Sequence, residues 1–549
     1  MSDYYDLGPY SLTVTTKSAD AQRWFDRGLL WCYGYNHDES VACYRRALEF
    51  DGDCAMAWWG IAYSSGCNYN KPWEAFDQED ALSSVATAYD ATQRAMSLID
   101  QASPVERALI AALPHRYPSR VPADDMCHWN DDYAGAMRKV YAEFPDNLEV
   151  ATLFSEAIMN RTPWALWDLK TGEVADGADT AEAITVLERA LHLDGGMEHP
   201  GLLHIYIHLM EMSPHPERAL KAGDALRGLV PDSGHLNHMP THIDVLCGHY
   251  QTVVSSNHAA IIADRKFLHR EGPVNFYSLY RCHDYHFKIY GAMFLGQYGP
   301  AIETADEMIS TLPEELLLVD SPPMADWLEG FISMKQHVYI RFGKWQEIID
   351  QVLPENAQLF CVTTAMMHYA KAVAYAASGD VPNAELEVLR FEDAVTRVPD
   401  SRYVFNNTCL DILAVAREMM LGEVAYRKED YDSAFAHLRQ SVALDDLLPY
   451  DEPWGWMQPT RHALGALLLE QNKVEESAEV YKADLGLDET LSRACQHPDN
   501  VWSLLGYHEC LVRLGRNDEA KIVKQRLDLA KARTDVAVKS SCYCKMGSV

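Results

Sequence analysis

Twelve of the chain's 22 histidines lie between residues 199 and 286, a window of about one-sixth of its length, and their spacing is what suggests chemistry. In "LLHIYIHLMEM", His204 and His208 are four apart and Glu211 follows three later, so a helix projects all three from one face. In "GHLNHMPTHIDVLCGHY", His238 and His242 repeat the four-residue pair, 34 residues after His204 and His208 respectively. In "SLYRCHDYHFKIYGAMF", His283 and His286 are three apart on a third helical segment. Two imidazoles at such spacing can share one metal ion, and three successive helices would bring six: His204, His208, His238, His242, His283 and His286.

Neutral imidazole suits copper, iron, nickel and zinc. The cluster is poor in thiolate and carboxylate compared with a closed structural zinc site, which favours copper or iron and leaves zinc open. Glu211, Asp244 and Asp284 are the carboxylates placed to act as acid and base, to complete the coordination shell or to orient ring nitrogens. Tyr206, Tyr280 and Tyr285 are nearby proton donors that helix packing also explains. His199, His215, His249, His258 and His269 read as structural, and whether His235 joins the set stays open. Pro240 either bends a helix that starts near Gly234 or opens a helix preceded by a loop carrying His235 and His238.

The elements that would carry these residues follow from repetition. "WFDRGLLWCYGYNHDESVACYRRALEFD" sets Trp24, Gly28, Trp31, Ser40, Tyr44 and Ala47 at the spacing of the tetratricopeptide repeat, a helix pair of 34 residues. The offset between the two histidine pairs equals that period, so both should fall on the first helix of neighbouring units, facing the inner, concave surface. Similar helix–turn–helix stretches recur to the C-terminal end, as in "LGEVAYRKEDYDSAFAHLRQSVALD" and "ALGALLLEQNKVEESAEVYKADLGL". The expected fold is therefore all-α, a tetratricopeptide-like α-solenoid wound as a right-handed superhelix. Its expected divisions are an N-terminal segment 1–19, repeats with long loops 20–180, histidine-rich central repeats 181–312, C-terminal repeats 313–535 and a tail 536–549. Three irregular stretches, 67–80, 114–130 and 162–180, read as loops inserted between helices, a common way to build a binding face.

Composition narrows the partners. A formal net charge of −33 disfavours nucleic acid, whose phosphates need basic surface. No apolar run approaches bilayer-spanning length and the start lacks a signal-peptide pattern, so no membrane partner and a cytoplasmic location are expected. The thirteen cysteines are scattered as reduced core residues would be, apart from Cys542 and Cys544, a CxC pair able to bind a soft metal or to oxidise on a terminus expected to fray. No phosphate-loop, dinucleotide, GxSxG or HExxH pattern is present. His37, at a helix–helix turn, and Glu156 with Asn160, on one face of "LFSEAIMNRTPWALWD", are further polar groups within reach of such a site, with Trp164, Trp167 and Asp168 beyond them.

From about residue 20 to 535 the chain resembles the large tetratricopeptide-repeat proteins of bacteria and fungi, most of them named only for the repeat. The resemblance rests on "NHDESVACYRRALEFDGDCAMAWWGIAYSSGCNYN", "HPGLLHIYIHLMEMSPHPERAL", "GHLNHMPTHI", "HDYHF" and "RFGKWQEII". It implies the helical superhelix and no reaction. The expected function, a metal-dependent oxidoreductase acting on a small organic substrate in the concavity, rests on the histidines alone. A metal-dependent hydrolase or lyase on the same site and a non-catalytic adaptor with a protein or peptide in its groove are the alternatives.

Overall fold

The computed structural model describes residues 4–545. The fold is all-α, organised as the helix pairs of a tetratricopeptide-like solenoid. Among the described residues the strands are a single two-residue hairpin, β1 (Tyr403–Val404) and β2 (Asn407–Thr408). The chain forms two compact units, Met1–Ile243 with Ala259–Glu271, and Asp244–His258 with Gly272–Val549.

Unit 1 runs through α1 (Ala19–Tyr33), α2 (His37–Phe50), α3 (Ala55–Ser65), α4 (Gln78–Ser97), α5 (Pro104–Arg116), α6 (Cys127–Glu143), α7 (Leu148–Met159), α8 (Thr180–Leu191), α9 (Pro200–Glu211), α10 (Leu220–Leu226), α11 (Gly234–His238) and the start of α12 (Pro240–Leu246). Local chemistry starts these helices where they start. Asn36, Asp77 and Asn147 cap α2, α4 and α7 with side-chain oxygens, and Ser103 with Glu106 forms a reciprocal capping box on α5. His199 caps α9, its Nδ1 accepting from the Leu202 amide, with Pro200 at the first helical position.

Small residues permit the close crossings. The Tyr44 ring lies between Gly28 and Gly60, where an added Cβ would come within 2.7 and 2.5 Å of it. In the second unit Tyr481 meets Gly465 and Gly506, and Leu438 meets Gly422, in the same way. The large residue follows its first glycine by sixteen positions in all three cases (44−28, 481−465, 438−422), which is the repeat register in physical form.

Successive helices of unit 1 pack on one another, and α1 also packs on α9, with Gly201 of α9 so close to Tyr33 that a Cβ there would lie 2.4 Å from the ring. The unit thereby closes on itself, and the face expected to line an open concavity becomes interior. The N-terminal segment straps the unit: Thr15 donates to Glu106, Tyr10 to Glu149, and the Asp6 amide to Asp232, whose own amide donates back to the Asp6 carbonyl.

Unit 2 takes in the rest of α12, the first part of α13 (Tyr250–Glu271), α14 (Ser278–Leu295), α15 (Tyr298–Ser310), α16 (Glu314–Leu317), α17 (Met324–Ile332), α18 (Met334–Arg341), α19 (Trp345–Asp350), α20 (Cys361–Ala377), α21 (Val381–Val395), α22 (Cys409–Arg427), α23 (Tyr431–Asp445), α24 (Thr460–Glu470), α25 (Val474–Asp484), α26 (Val501–Arg513) and α27 (Asn517–Lys531). Here α14 meets α26, and the Trp502 indole donates to the Met293 carbonyl at 2.7 Å. The expected loose terminus is corrected. Ser540 to Cys544 are buried, Arg341 donates to the Ser541 carbonyl at 2.8 Å and Arg427 to the Cys544 carbonyl, and Cys542 and Cys544 are joined as a disulfide. Two buried guanidiniums thus find their acceptors on the tail backbone, which is why it is ordered.

Candidate metal centre

The centre is built on α9, α11 and the first turn of α12. His204, His208 and Glu211 occupy one face of α9, as the spacing requires. α11 ends at His238, Met239 keeps right-handed helical dihedrals, and Pro240 opens α12 as in the second arrangement open from sequence, with His235 and His238 on a short helix of their own in place of a loop. This places His235, His238 and His242 against α9. The first turn of α11 approaches closely because Gly234 has no side chain: a Cβ would meet the Asp264 carboxylate at 2.0 Å.

His204 Nε2 lies 3.2 Å from His235 Nε2. One ring nitrogen each of His204, His208 and His235 can be chosen so that all three fall within 4.8 Å of one another. Two imidazoles bound to one tetrahedral metal at about 2.0–2.1 Å stand roughly 3.3 Å apart, so the His204–His235 distance fits a shared ion. His208 Nδ1–H donates to Glu211 Oε1 at 2.9 Å, and His242 Nδ1–H donates to Glu211 Oε2 at 2.5 Å. A carboxylate only accepts, so it fixes both rings with the proton on Nδ1 and the lone pair on Nε2. The Nε2 of His208 has no hydrogen-bond partner and is an orphaned buried acceptor. Beyond, His238 Nε2 and His242 Nε2 are 2.7 Å apart, and the Thr241 hydroxyl donates to the His238 carbonyl.

All of these groups are sealed from solvent, with His204, His208, His235, His238, His242 and Glu211 at most 1% exposed. Burial pushes the His204 pKa down to about 3, partly opposed by the Tyr33 backbone, and pushes His208 well below its ordinary value, with His204 and His238 adding to the effect. Both rings are therefore neutral at physiological pH, which is the ligating form.

Aromatic residues wall the cluster. Tyr35 stands with its ring centroid 4.6 Å from His204, 5.3 Å from His235 and 6.0 Å from His208. It sits in the α1–α2 turn, where Gly34 lets the backbone come up to Ser233, and its own φ of 53° lies in the left-handed region. Tyr69 covers His208 at 5.0 Å, and Trp164, also left-handed with φ of 59°, approaches the same ring at 5.9 Å. Two bulky residues held at positive φ against one cluster store strain where ring placement matters.

The remaining residues named from sequence are placed as follows. His235, left open, lies nearest His204, while His238 lies against His242. His283, Asp284 and His286 are buried on α14 in unit 2, where His283 packs on Phe287 and Phe405 and His286 on Phe331. Asp244 is also in unit 2 and buried, 3.7 Å from His249 Nδ1. Tyr206 donates to Glu188 and Tyr285 to Glu307, each within its own unit. His199 donates to Glu149 and is structural. His37 contacts Asn68 rather than the cluster, and Glu156 accepts from Tyr63. Sequence reasoning missed Tyr35 and Tyr69, since nothing local distinguishes a ring that walls a site from one that packs a helix pair.

No protein-family model and no curated protein matches the chain. Among solved structures it is similar to that of the Cut9–Hcn1 APC/C hetero-tetramer, at 13% identity over 89% of this chain and 76% of that one with a TM-score of 0.31. It is also similar to yeast Tom70, at 10% identity over 92% and 99% with a TM-score of 0.30, and to the tetratricopeptide domain of P58(IPK), at 13% over 85% and 99% with a TM-score of 0.20. Likenesses this distant say nothing about what the chain does. No helix among the described residues is long and apolar enough to cross a membrane.

Proposed function

We propose that unit 1 binds a transition metal through His204, His208 and His235 and that the protein is a metal-dependent enzyme, an oxidoreductase in preference to a hydrolase or lyase. The observation that carries this reading is the orphaned Nε2 of His208, fixed by Glu211 in the ligating tautomer beside two further buried imidazoles. Three protein ligands with an open position are the pattern of catalytic rather than closed structural sites. Copper or iron bound there would supply one-electron chemistry, and zinc a Lewis acid.

The chain's own residues account for the rest. Glu211 orients His208 and, through its second oxygen, joins it to His242 and then His238, a hydrogen-bonded line along which a proton can be held or passed. Tyr35, Tyr69 and Trp164 exclude water from the rings. A dry, neutral site whose three proposed ligands are all imidazoles suits a redox metal better than a hard oxygen-seeking cation. Elemental analysis of the purified protein tests the reading: a stoichiometric transition metal is expected, lost in a His204→Ala/His235→Ala double variant. Absence of metal in the parent, or unchanged content in the variant, would defeat it.

A further inference from the structure

A centre sealed this completely needs an entrance, and its aromatic walls differ in one respect. Tyr35 and Tyr69 are buried, whereas Trp164 is half-buried and reaches solvent. The Trp164 indole meets the His208 ring edge-on, with 5.9 Å between centroids and 87° between planes, and packs on Tyr69 at 4.7 Å. One side chain therefore extends from solvent to a proposed metal ligand.

The chain on either side of Trp164 is pinned. The Thr162 amide donates to the Met159 carbonyl at 3.1 Å. Beyond, the Leu166 carbonyl accepts from the Ala175 amide at 3.2 Å and the Thr180 hydroxyl at 2.7 Å, and the Trp167 indole donates to the Leu209 carbonyl on α9 at 2.8 Å. Between these anchors the Ala165 amide donates to the Thr162 carbonyl at 3.1 Å, closing a β-turn with Pro163 second and Trp164 third. Among the described residues Trp164 makes no hydrogen bond from its indole or its backbone. Its φ of 59° has the sign that a type II turn requires at the third position, where glycine is the favoured residue. The indole is thus held on His208 by ring packing alone, against the backbone preference of a bulky residue.

The loop is also charged for one kind of solute. Between residues 162 and 180 Lys170 is the one basic residue, and Asp168, Glu173 and Asp176 are exposed, so the field around this turn draws cations. We propose that Trp164 is the gate of the histidine cluster: a change in the Thr162–Ala165 turn swings the indole off His208 and opens the route by which a metal cation enters. The anchors at Thr162, Leu166 and Trp167 stay in place, so opening takes one turn and not the whole loop. The metal's use of this route rests on the proposed metal site; the shielding of His208 by Trp164 does not.

Reaction of the metal-free full chain with diethyl pyrocarbonate, mapped by mass spectrometry, reads access to His208 without any metal. In the parent His208 should react at least about tenfold more slowly than exposed His215. Trp164→Gly removes the indole and puts glycine where the turn favours it, and should raise the His208 rate about tenfold or more while buried His199 stays protected. Trp164→Phe keeps a ring there and should stay within about twofold of the parent. Zn2+ uptake, followed by stopped flow against a chromophoric chelator, should be faster in Trp164→Gly at unchanged equilibrium affinity, because a gate alters entry and exit alike. Should Trp164→Gly fail to fold, Trp164→Leu carries the same test. A folded variant whose His208 rate stays within about twofold of the parent overturns the inference. Equal gains at His199 and His208 overturn it too, as general loosening, and so does Zn2+ uptake no faster than the parent's. A protein that shows the His208 response but binds no metal would keep the gate and sink the metal reading; one that binds metal with His208 unaffected by Trp164 would do the reverse.

Discussion

Glu211→Gln is the substitution that separates a metal centre from a buried histidine cluster. The side chain keeps its volume and loses one acceptor. In the parent, Oε1 takes the Nδ1–H of His208 and Oε2 that of His242. Glutamine offers one carbonyl oxygen and one NH2, so one ring faces a donor. That ring either moves its proton to Nε2, surrendering the lone pair a metal needs, or keeps the ligating tautomer and loses its acceptor. The loss of a buried hydrogen-bond partner costs about 1–3 kcal/mol. At 1.4 kcal/mol per tenfold this is roughly a 5- to 150-fold fall in metal affinity, in line with the 10–100-fold typical of groups that orient ligating histidines. Competition against a chelator of known affinity reads it directly, with circular dichroism confirming that the variant is folded. A folded variant whose metal affinity stays within about twofold of the parent would refute the orienting role.

Gly201→Ala should couple packing to the site: the new methyl meets Tyr33 at 2.4 Å, so α9 must shift, lowering stability by about 1–3 kcal/mol and reducing metal content with it. Thermal melts and metal analysis of the same sample would check this, and full metal content in a destabilised variant would uncouple the two. Asp445, buried and accepting from the Trp454 indole, has its pKa raised to about 8, by burial first and then by Asp446. The folded state then binds the proton more tightly than the unfolded chain, so this residue contributes a loss of stability as pH rises from about 4 to 8. Asp445→Asn should remove that loss, gaining on the order of 2–4 kcal/mol relative to the parent between pH 5 and pH 8. Paired denaturant titrations at the two pH values would detect it, and a pH-independent difference would contradict it.

The helices were legible because periodicity and capping are local. Gly28 with Tyr44 marks a unit in sequence and proves to be a ring seated on a glycine, while the four-residue histidine spacing on α9 places both rings on one face. Pairing between helices was less legible. The 34-residue offset sets His238 opposite His204, whereas His235 lies there instead, since α11 ends at His238 and a new helix starts at Pro240, so one helical register does not run through the stretch. Closure of unit 1 was invisible for a related reason. It depends on α1 meeting α9 through Tyr33 and Gly201, a contact 168 positions apart (201−33) that no repeat pattern records. Tyr35 and Tyr69 escaped because their placement against the histidines, and the positive φ of Tyr35, are imposed by tertiary contacts.

X-ray absorption at the edge of the bound metal, measured on the parent and on His208→Ala, tests the central claim most directly. The account predicts a first shell containing three imidazole nitrogens at about 2.0–2.1 Å, reduced in the variant. A shell of oxygen or sulfur alone, or one unchanged by the loss of His208, would contradict it.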